Sequence, residues 1–420
     1  MNAWYRNLDW PTLIAWLTLI GMGLVAIYSS THGPGAQHLY ETVQNNFYRQ
    51  ATWLVIAGGV LAGTLLVSPR MIMQAAYPLY GSVLVLLVAT LFLGHEAGGG
   101  AHWLAFGPIR LQASELAKVG TVLAVARLLS DRRAVSAQHM GYALRAAGLV
   151  ALPALLVMLQ NDMGTALVFV GLIPIVLFWG GLPISLILLM IVPGLALYAG
   201  LLSAWAAVAV TVLFTLGMWI GTRQRMLTIA AGALSTAAGL VASFALVHIL
   251  RPHQVARIIS FTNPEAEEFR QGVGFHLVQS KAAIGSGGLW GKGFMEGTQT
   301  QGAYIPEQST DFVFSVIAEE FGLMGAGFVL LVLGFLLLRL IKLGADSKHP
   351  FGSLVAAGAV GVYLIHTIIN LGMVMGMLPV IGLPLPFLSY GGSALVSYTL
   401  LLAIVVSIHM RRDALSIYGY

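Results

Sequence analysis

Long apolar stretches separated by short polar connections dominate the chain. They occur at residues 10–30, 51–68, 72–94, 114–130, 141–159, 164–181, 183–200, 203–221, 226–249, 315–340, 352–377 and 390–410. The runs are continuously apolar rather than alternating, which favours spanning helices over the strands of a barrel. A spanning helix also satisfies its backbone hydrogen bonds internally. The pattern predicts an all-α integral membrane protein, a polytopic bundle of about 12 transmembrane helices.

Composition agrees with this interpretation. Of the 420 residues, 58% are hydrophobic and 9% are charged, and the mean hydropathy is +0.85. These values lie far outside the range of soluble domains. The first apolar run is too long for a signal peptide and lacks an A-x-A site, so it is predicted to be a retained span. Without an internal repeat or a low-complexity tail, residues 1–420 are predicted to form a single membrane domain.

Basic residues predict the orientation. They occur in alternate connections, at Arg6, Arg70, Arg132, Arg133, Arg223, Arg225, Arg339, Lys342, Lys348, Arg411 and Arg412. The positive-inside rule assigns these connections to the cytoplasm. Both termini are then cytoplasmic, the protein lies in the cytoplasmic (inner) membrane, and residues 251–310 form one large extracytoplasmic loop. The net charge of +5 needs no nucleic-acid partner, because membrane lipids with anionic headgroups lie beside the basic connections.

Signatures of soluble enzymes fail along the chain. The stretch GSGGLWGKG contains a Gly-Lys pair, but Ser286 occupies the position of the first glycine of a P-loop. Trp290 stands where a dinucleotide fingerprint needs its third glycine. The sequence has no HExxH motif, which argues against a tightly held catalytic zinc. Any chemistry is therefore predicted to run without a nucleotide cofactor.

The stretch IPEQSTDFVFSVIAEEFG at residues 305–322 places carboxylates at the start of an apolar run. If a helix begins near Asp311, Glu319 follows on the same side, about 12 Å along the axis, and Glu320 faces about the opposite way. Ionisable groups at membrane depth mark function. An Asp in a first turn also caps free N–H groups. The residues alone leave both interpretations of Asp311 open.

A second charged stretch is GGGAHWLAFGPIRLQASELAK at residues 98–118. Glu115 and Lys118 are spaced i, i+3 and can pair on one helix face. The pair is either structural or presents the lysine ammonium to a phosphate. Arg110 follows a Gly-Pro pair that indicates irregular backbone at the outer surface. It is either a solvated arginine or a second phosphate clamp.

Two further features are polar positions in apolar surroundings. Asp162, in LQNDMGT, is typical of a turn. Residues 377–394, MLPVIGLPLPFLSYGGSA, contain prolines and glycines that prevent a regular helix, and such backbone at membrane depth lines a cavity or packs on protein. His366 and Asn370 in the preceding span either face the same cavity or bond across helices.

Four segments together resemble the SEDS family of shape, elongation, division and sporulation proteins. They are LQASELAK at 111–118, QSKAAIGSGGLWGKG at 279–293, IPEQSTDFVFSVIAEEFG at 305–322 and LGMVMGMLPVIGLPLPFLSYGGSAL at 371–395. The resemblance covers nearly the whole chain and is closer to the rod-shape member than to the division member. It implies a family core of ten spans, so two helices within residues 183–249 are predicted to be an extra pair.

The resemblance implies a peptidoglycan glycosyltransferase that polymerises lipid II on the outer membrane face and releases polyprenyl pyrophosphate. A class B penicillin-binding protein is the implied partner. Asp311 matches the essential aspartate and becomes the candidate general base. Candidate substrate-binding residues are Lys118, Glu115, Arg110, Trp103, Asp162, Gln279, Lys281 and Ser389. No metal ligand and no firm cofactor are implied, while Mg²⁺ or Mn²⁺ at the pyrophosphate stays open. His102 and Ala113 depart from the family pattern, which usually has Arg and Pro there.

Three other interpretations remain. A lipid II flippase would also contain many helices and intramembrane charges, although it does not explain a carboxylate where a long outer loop re-enters the membrane. A division paralogue would perform the same chemistry elsewhere in the cell. A scaffold for a penicillin-binding protein would leave Asp311 and Lys118 dispensable.

Overall fold

A computed structural model of the chain describes residues 7–97, 100–106, 109–131, 140–248, 255, 261, 273–302, 304, 305 and 307–412. Its helices are α1 (Trp10–His32), α2 (Glu41–Gln44), α3 (Asn46–Leu66), α4 (Pro69–Leu93), α5 (Ala113–Ser130), α6 (Met140–Leu159), α7 (Met163–Trp179), α8 (Ile184–Leu202), α9 (Ala204–Thr222), α10 (Arg225–His248), α11 (Val273–Ser286), α12 (Thr298–Gln301), α13 (Val313–Ala345), α14 (Pro350–Val374) and α15 (Gly392–Met410). Each of the predicted apolar runs falls on one of these helices.

Within the described residues, nine helices are long and apolar enough to cross a membrane. The apolar helix α7 and the apolar part of α10 are shorter. Helix α5 carries Glu115, Lys118 and Arg127 within its 18 residues. The prediction of a helical, multi-pass membrane protein is confirmed. The count of twelve spans and the extra pair stay predictions.

Side chains just outside the helices fix several of their first turns. Asp9 accepts a hydrogen bond from the N–H of Thr12 at the start of α1. Ser68 caps α4 in the same way and is followed by a proline, whose missing N–H costs nothing in a first turn. The ring of His349 accepts from the N–H of Phe351 at the start of α14. Burial, with help from nearby Arg127, lowers the pKa of His349, which keeps the ring neutral and able to accept.

The chain divides into two compact units. One consists of residues 1–133, 144–176 and 276–420, and the other of residues 134–143 and 177–275. In the second unit α8, α9 and α10 pack on one another, and Phe214, Met218 and Ala231 form a buried apolar cluster there. All the site contacts described below lie within the first unit. The single-domain assignment of residues 1–420 stays a prediction.

A small antiparallel sheet precedes α5 and was not predicted. Its strands are β1 (His95–Ala97), β2 (Gly100–Phe106) and β3 (Ile109–Gln112), in the order β1-β2-β3. Arg110 pairs with Ala105 in the β2–β3 ladder. The prediction of irregular backbone at Arg110 is therefore wrong, because the residues on either side of the Gly-Pro pair form a hairpin. The sheet is a small addition to the predicted helical bundle.

Part of the predicted outer loop lies outside the described residues. Of residues 251–272, only 255 and 261 are described. The remainder of the loop contains α11 and α12 and ends in a turn at residues 307–312. The extracytoplasmic position of residues 251–310 stays a prediction.

Candidate functional site

Asp311 lies in a turn immediately before α13 and not in the helix. The N–H groups of Thr310, Asp311 and Phe312 all donate to the carbonyl of Glu307. Phe312 is the N-cap of α13, and its side chain makes no capping hydrogen bond. The helix begins at Val313, two residues after Asp311, so the predicted start near Asp311 is confirmed to within two residues.

A proline-rich loop at residues 381–386 packs against Asp311. A Cβ added to Gly382 would lie 3.1 Å from the Oδ2 atom of Asp311, which places the carboxylate directly against this glycine. Gly382 has a φ of 81°, a conformation that side chains with a Cβ rarely adopt. Leu383 joins Val168 and Ile369 in a buried apolar cluster that anchors the loop. The irregular backbone predicted for residues 377–394 thus contacts the candidate base.

The predicted pair Glu115 and Lys118 is present and completely buried. Lys118 Nζ lies 2.8 Å from Glu115 Oε1, and the two side chains are 1% and 3% exposed. The ammonium also donates to the Nε2 atom of His366 at 2.8 Å. A ring that accepts at Nε2 carries its proton on Nδ1, which faces the carbonyl of Pro384 at 3.2 Å. The ion pair is confirmed, and contact of Lys118 with a phosphate stays a prediction.

Two residues of α15 complete this cluster and were missed by the sequence analysis. Ser397 donates to Glu115 Oε2 at 3.0 Å. The hydroxyl of Tyr398 lies 3.0 Å from Nδ1 of His366, and Lys118 Nζ lies 5.1 Å from the centre of the tyrosine ring. Charges buried at membrane depth are stable only when paired in this way. The signal available in the sequence was the hydroxyl-rich SYT triplet inside an apolar run.

Helix α14 connects the buried cluster with Asp311. His366 reaches the carbonyl of Pro384. One turn later, Asn370 donates to the carbonyl of Leu383 at 2.7 Å and to the carbonyl of Asp311 at 2.8 Å. Both polar groups of the helix therefore contact the loop that packs on the candidate base.

Glu319 is buried and hydrogen-bonded on every side. It forms an ion pair with Lys292 at 2.7 Å and accepts from the N–H groups of Gln299 and Thr300, both at 2.9 Å. The hydroxyl of Thr298 also donates to it. Because Asp311 precedes the helix, the predicted alignment of Asp311 and Glu319 on one helix face does not apply. Glu319 holds the outer loop to α13.

A backbone seam joins the outer loop to α13. The helix is interrupted at Gly322, which has a φ of 64°. There the N–H groups of residues 292 and 293 donate to the carbonyls of residues 319 and 320, and the N–H groups of residues 323 and 324 donate to the carbonyls of residues 288 and 289. A Cβ on Gly322 would lie 2.3 Å from the nitrogen of Gly291. The two segments of the chain approach so closely only because Gly291 and Gly322 lack a Cβ.

Glu320, which was predicted to face about the opposite way from Asp311, is buried. It is 1% exposed, and it accepts hydrogen bonds from the hydroxyl of Ser29 and from Gln301. These contacts connect α13 to α1 and to α12. A substitution at Glu320 is therefore expected to disturb the packing of α13 against α1 and α12.

Trp103 and Asp162 meet at Gln112. Trp103 is opposite Gln112 in the sheet register and is half-buried. Gln112 donates to Asp162 Oδ2 at 3.2 Å, and its N–H donates to the hydroxyl of Ser393 at 3.2 Å. Asp162 also accepts from the N–H of Thr165 at 2.9 Å, which makes it the cap of α7. A structural role of Asp162 is thus present, and substrate contact by these residues stays a prediction.

Gln279 and Lys281 flank a serine that attaches α11 to the site. Ser280 is buried, lies 2.8 Å from the hydroxyl of Ser315 and donates to the carbonyl of Val374. Lys281 is exposed, and its aliphatic chain passes Gly376. Burial lowers the pKa of His276 on the same helix, against the opposing effect of the Glu307 charge.

The hydroxyl of Ser389 is engaged in a hydrogen bond within the protein. Its Oγ accepts from the N–H of Leu385 at 2.9 Å, and its carbonyl accepts from Gln50. The residue is 5% exposed. It closes the loop that follows Gly382, and direct binding of substrate by Ser389 stays a prediction.

The donor set of a metal site is the remaining question of chemistry. Among the described residues, no group of three or more His, Asp or Glu side chains is placed to hold a metal ion. Binding of Mg²⁺ or Mn²⁺ at the pyrophosphate stays a prediction.

The fold and the site together describe a polytopic membrane protein. It has a buried ion pair inside the bundle and a carboxylate at one end of a long apolar helix. A family model described as cell cycle protein, for FtsW, RodA and SpoVE, matches residues 10–213 and 202–414. These segments cover most of the chain, so the chain belongs to the FtsW/RodA/SpoVE family. The family resemblance seen in the motifs is confirmed.

Curated relatives cover most of the chain. It is 35% identical over 354 residues to peptidoglycan glycosyltransferase MrdB of Escherichia coli (strain K12), spanning 83% of this chain and 82% of the relative. It is 29% identical to peptidoglycan glycosyltransferase RodA of Treponema pallidum (strain Nichols), over 97% and 98% of the two chains. A probable peptidoglycan glycosyltransferase FtsW of Shewanella sediminis is 33% identical over 96% of this chain and 87% of the relative.

Solved structures support the same fold. A structure described as structural coordination of polymerization and crosslinking by a peptidoglycan synthase complex aligns with a TM-score of 0.71 at 26% identity, covering 96% of this chain and 98% of that chain. The crystal structure of the rod shape determining protein RodA of Thermus thermophilus aligns with a TM-score of 0.62 at 28% identity, covering 98% of each chain.

Proposed function

We propose that this protein is a peptidoglycan glycosyltransferase that polymerises lipid II on the outer face of the cytoplasmic membrane, with Asp311 as its general base. Relatives named for this activity match nearly the whole chain. The observation that carries the assignment of the base is the position of Asp311, in a turn at the end of a spanning helix and against the loop at Gly382.

The reaction follows from the two parts of the substrate. The polyprenyl tail stays in the lipid, while the sugar and pyrophosphate lie at the interface. The 4-hydroxyl of one lipid II attacks the anomeric carbon of the growing strand, and the bond from that carbon to the pyrophosphate oxygen breaks with inversion. The hydroxyl proton passes to Asp311, and polyprenyl pyrophosphate leaves with the bonding electron pair. No covalent enzyme intermediate is needed.

The buried cluster supplies the second part of the proposal. Lys118 would stabilise the charge on the departing pyrophosphate, with Arg110 as the second cation on β3. In the described conformation Lys118 is enclosed by Glu115 and His366. Its contact with the leaving group therefore requires the substrate to open the cluster. Trp103, Gln279 and Lys281 are proposed to line the same outer site.

The biological setting is proposed from the same comparisons. Relatives named RodA and MrdB favour a role in cell elongation and shape, and a relative named FtsW keeps a division role as the alternative. A transpeptidase of the class B penicillin-binding type is the proposed partner, because a related structure is described as coordinating polymerization with crosslinking. Both termini are proposed to be cytoplasmic.

Polymerisation of labelled lipid II by the purified protein in detergent, with and without the transpeptidase, tests the activity. Glycan strands from the wild type are expected, and movement of lipid II across vesicles without polymer would favour a flippase. Reporter fusions after Glu268, which lies outside the described residues, and after Tyr420 test the orientation. Reporters on the same side of the membrane would contradict it.

A further inference from the structure

Asn370 is a buried amide that joins two separate segments of the site. It lies on α14 and is 0% exposed. One carboxamide nitrogen serves two acceptors, the carbonyl of Asp311 at 2.8 Å and the carbonyl of Leu383 at 2.7 Å. The two hydrogens of the amide thus match two acceptors that are far apart in sequence.

The consequence of this bridge is geometric. Leu383 directly follows Gly382, whose α-carbon faces the Asp311 carboxylate. By binding both main chains, Asn370 sets the spacing between the turn that carries Asp311 and the loop that packs on its carboxylate. Proton transfer from a bound hydroxyl depends on such spacing, because an error of about 1 Å in a reacting group costs up to about 100-fold in rate.

We infer that Asn370 is a positioning residue for Asp311, acting through the main chains of Asp311 and Leu383 and not through the substrate. The inference rests on the proposed function for its effect on rate. The alternative is a bond across helices that only stabilises the fold. The two differ in whether the effect of Asn370 depends on the presence of the Asp311 carboxylate.

The decisive variant is Asn370→Leu, which keeps the branching at Cγ and removes both donors. Polymerisation of labelled lipid II by the purified protein with its partner is expected to fall at least about tenfold in kcat, with KM changed by less than about threefold. The double variant with Asp311→Asn is expected to be no slower than Asp311→Asn alone, because a misplaced base and an absent base have the same consequence.

A matched control is Gln160→Leu. Gln160 is also a buried amide that donates to a main-chain carbonyl, that of Leu87 at 2.9 Å. Its loss should lower thermal stability comparably. If Gln160→Leu changes the rate, it should do so by the same factor in the wild-type background and in the Asp311→Asn background.

Two kinetic results would overturn the inference, and so would one exchange result. One is a wild-type kcat in Asn370→Leu. The other is a double variant whose loss of kcat is the product of the losses in Asn370→Leu and Asp311→Asn. Hydrogen exchange provides a test that needs no activity: Asn370→Leu should increase amide exchange in residues 307–313 and 383–389 more than Gln160→Leu does. Unchanged exchange in both segments would overturn the inference, whether or not the wild type makes polymer. A wild type that makes no polymer would contradict the proposed function alone.

Discussion

Two carboxylates near the start of α13, Asp311 and Glu319, differ in burial and surroundings. Glu319 is fully buried, and its oxygens accept hydrogen bonds from Lys292, Gln299 and Thr300. Asp311 is half-buried and is fixed through its main chain, by Glu307 and Asn370. A carboxylate surrounded by donors is stabilised as an anion and is a poor proton acceptor. We therefore expect Glu319 to contribute to stability, and we propose Asp311, which packs against the loop at Gly382, as the general base.

The largest effect is expected from Asp311→Asn. The substitution keeps the shape and removes the ability to accept a proton, so polymerisation should fall by about 100-fold or more, with partner binding retained. Labelled lipid II polymerisation, together with a thermal unfolding curve, is the measurement. Asp346→Asn makes the same change at the exposed C-cap of the same helix and should leave the rate unchanged. Wild-type rates for Asp311→Asn would return the carboxylate to a structural role.

Gly382→Ala should have the next largest effect. The added Cβ would lie 3.1 Å from Asp311 Oδ2 on a backbone with a φ of 81°. The strained conformation costs about 1–2 kcal/mol, and relief by movement of the loop would displace the base, so kcat should fall about tenfold. Gly21→Ala is the control, because a Cβ there meets nothing within 4 Å. Equal rates in both variants would separate the loop from the function of Asp311.

Glu319→Gln should reduce stability more than chemistry. The amide keeps the size of the side chain but leaves Lys292 without its ionic partner and replaces acceptors by donors facing N–H groups. A lower unfolding temperature and faster amide exchange across residues 286–301 are expected, with a smaller loss of rate than for Asp311→Asn. Glu296→Gln, at an exposed position of the same loop, should change neither property. If Glu319→Gln were as inactive as Asp311→Asn at full stability, the contrast between the two carboxylates would fail.

The smallest effect is expected from Asp9→Asn, a third carboxylate, just before α1. Burial raises the pKa of Asp9, but hydrogen bonds from Arg339 and Thr12 and the Arg339 charge outweigh it and hold the pKa below its ordinary value. Asp9 therefore contributes stability at neutral pH that is lost as the pH falls through its folded-state pKa. The wild type should melt above Asp9→Asn at pH 7, and the difference should shrink in acid. A difference independent of pH would contradict the ionic explanation, and polymerisation at pH 7 should be unaffected.

The sequence predicts the spanning helices well, because a long apolar run has no other stable form in a bilayer. It does not predict the turn before α13, because that turn depends on Glu307 in a left-handed conformation with a φ of 52°. The strands around Arg110 were missed because the Gly-Pro pair indicated only a loop.

The site was predictable in part. Motifs identified Asp311, Glu115 and Lys118, and helix spacing placed His366 and Asn370 on one face. Their partners could not be predicted, since they are main-chain carbonyls of a loop whose conformation the sequence does not determine. Spacing along a helix predicts which of its residues share a face. It does not predict which other segment that face contacts, such as the turn before α13 that α14 reaches.

The seam between the outer loop and α13 has a mechanical consequence. Four main-chain hydrogen bonds connect the two strands of chain at the Gly322 interruption, and the ion pair of Lys292 with Glu319 lies beside them. Parting the two segments would break all four hydrogen bonds and the ion pair together. This part of the loop therefore cannot swing as an independent lid. A force applied to it is transmitted directly to α13, the helix that follows the turn carrying Asp311.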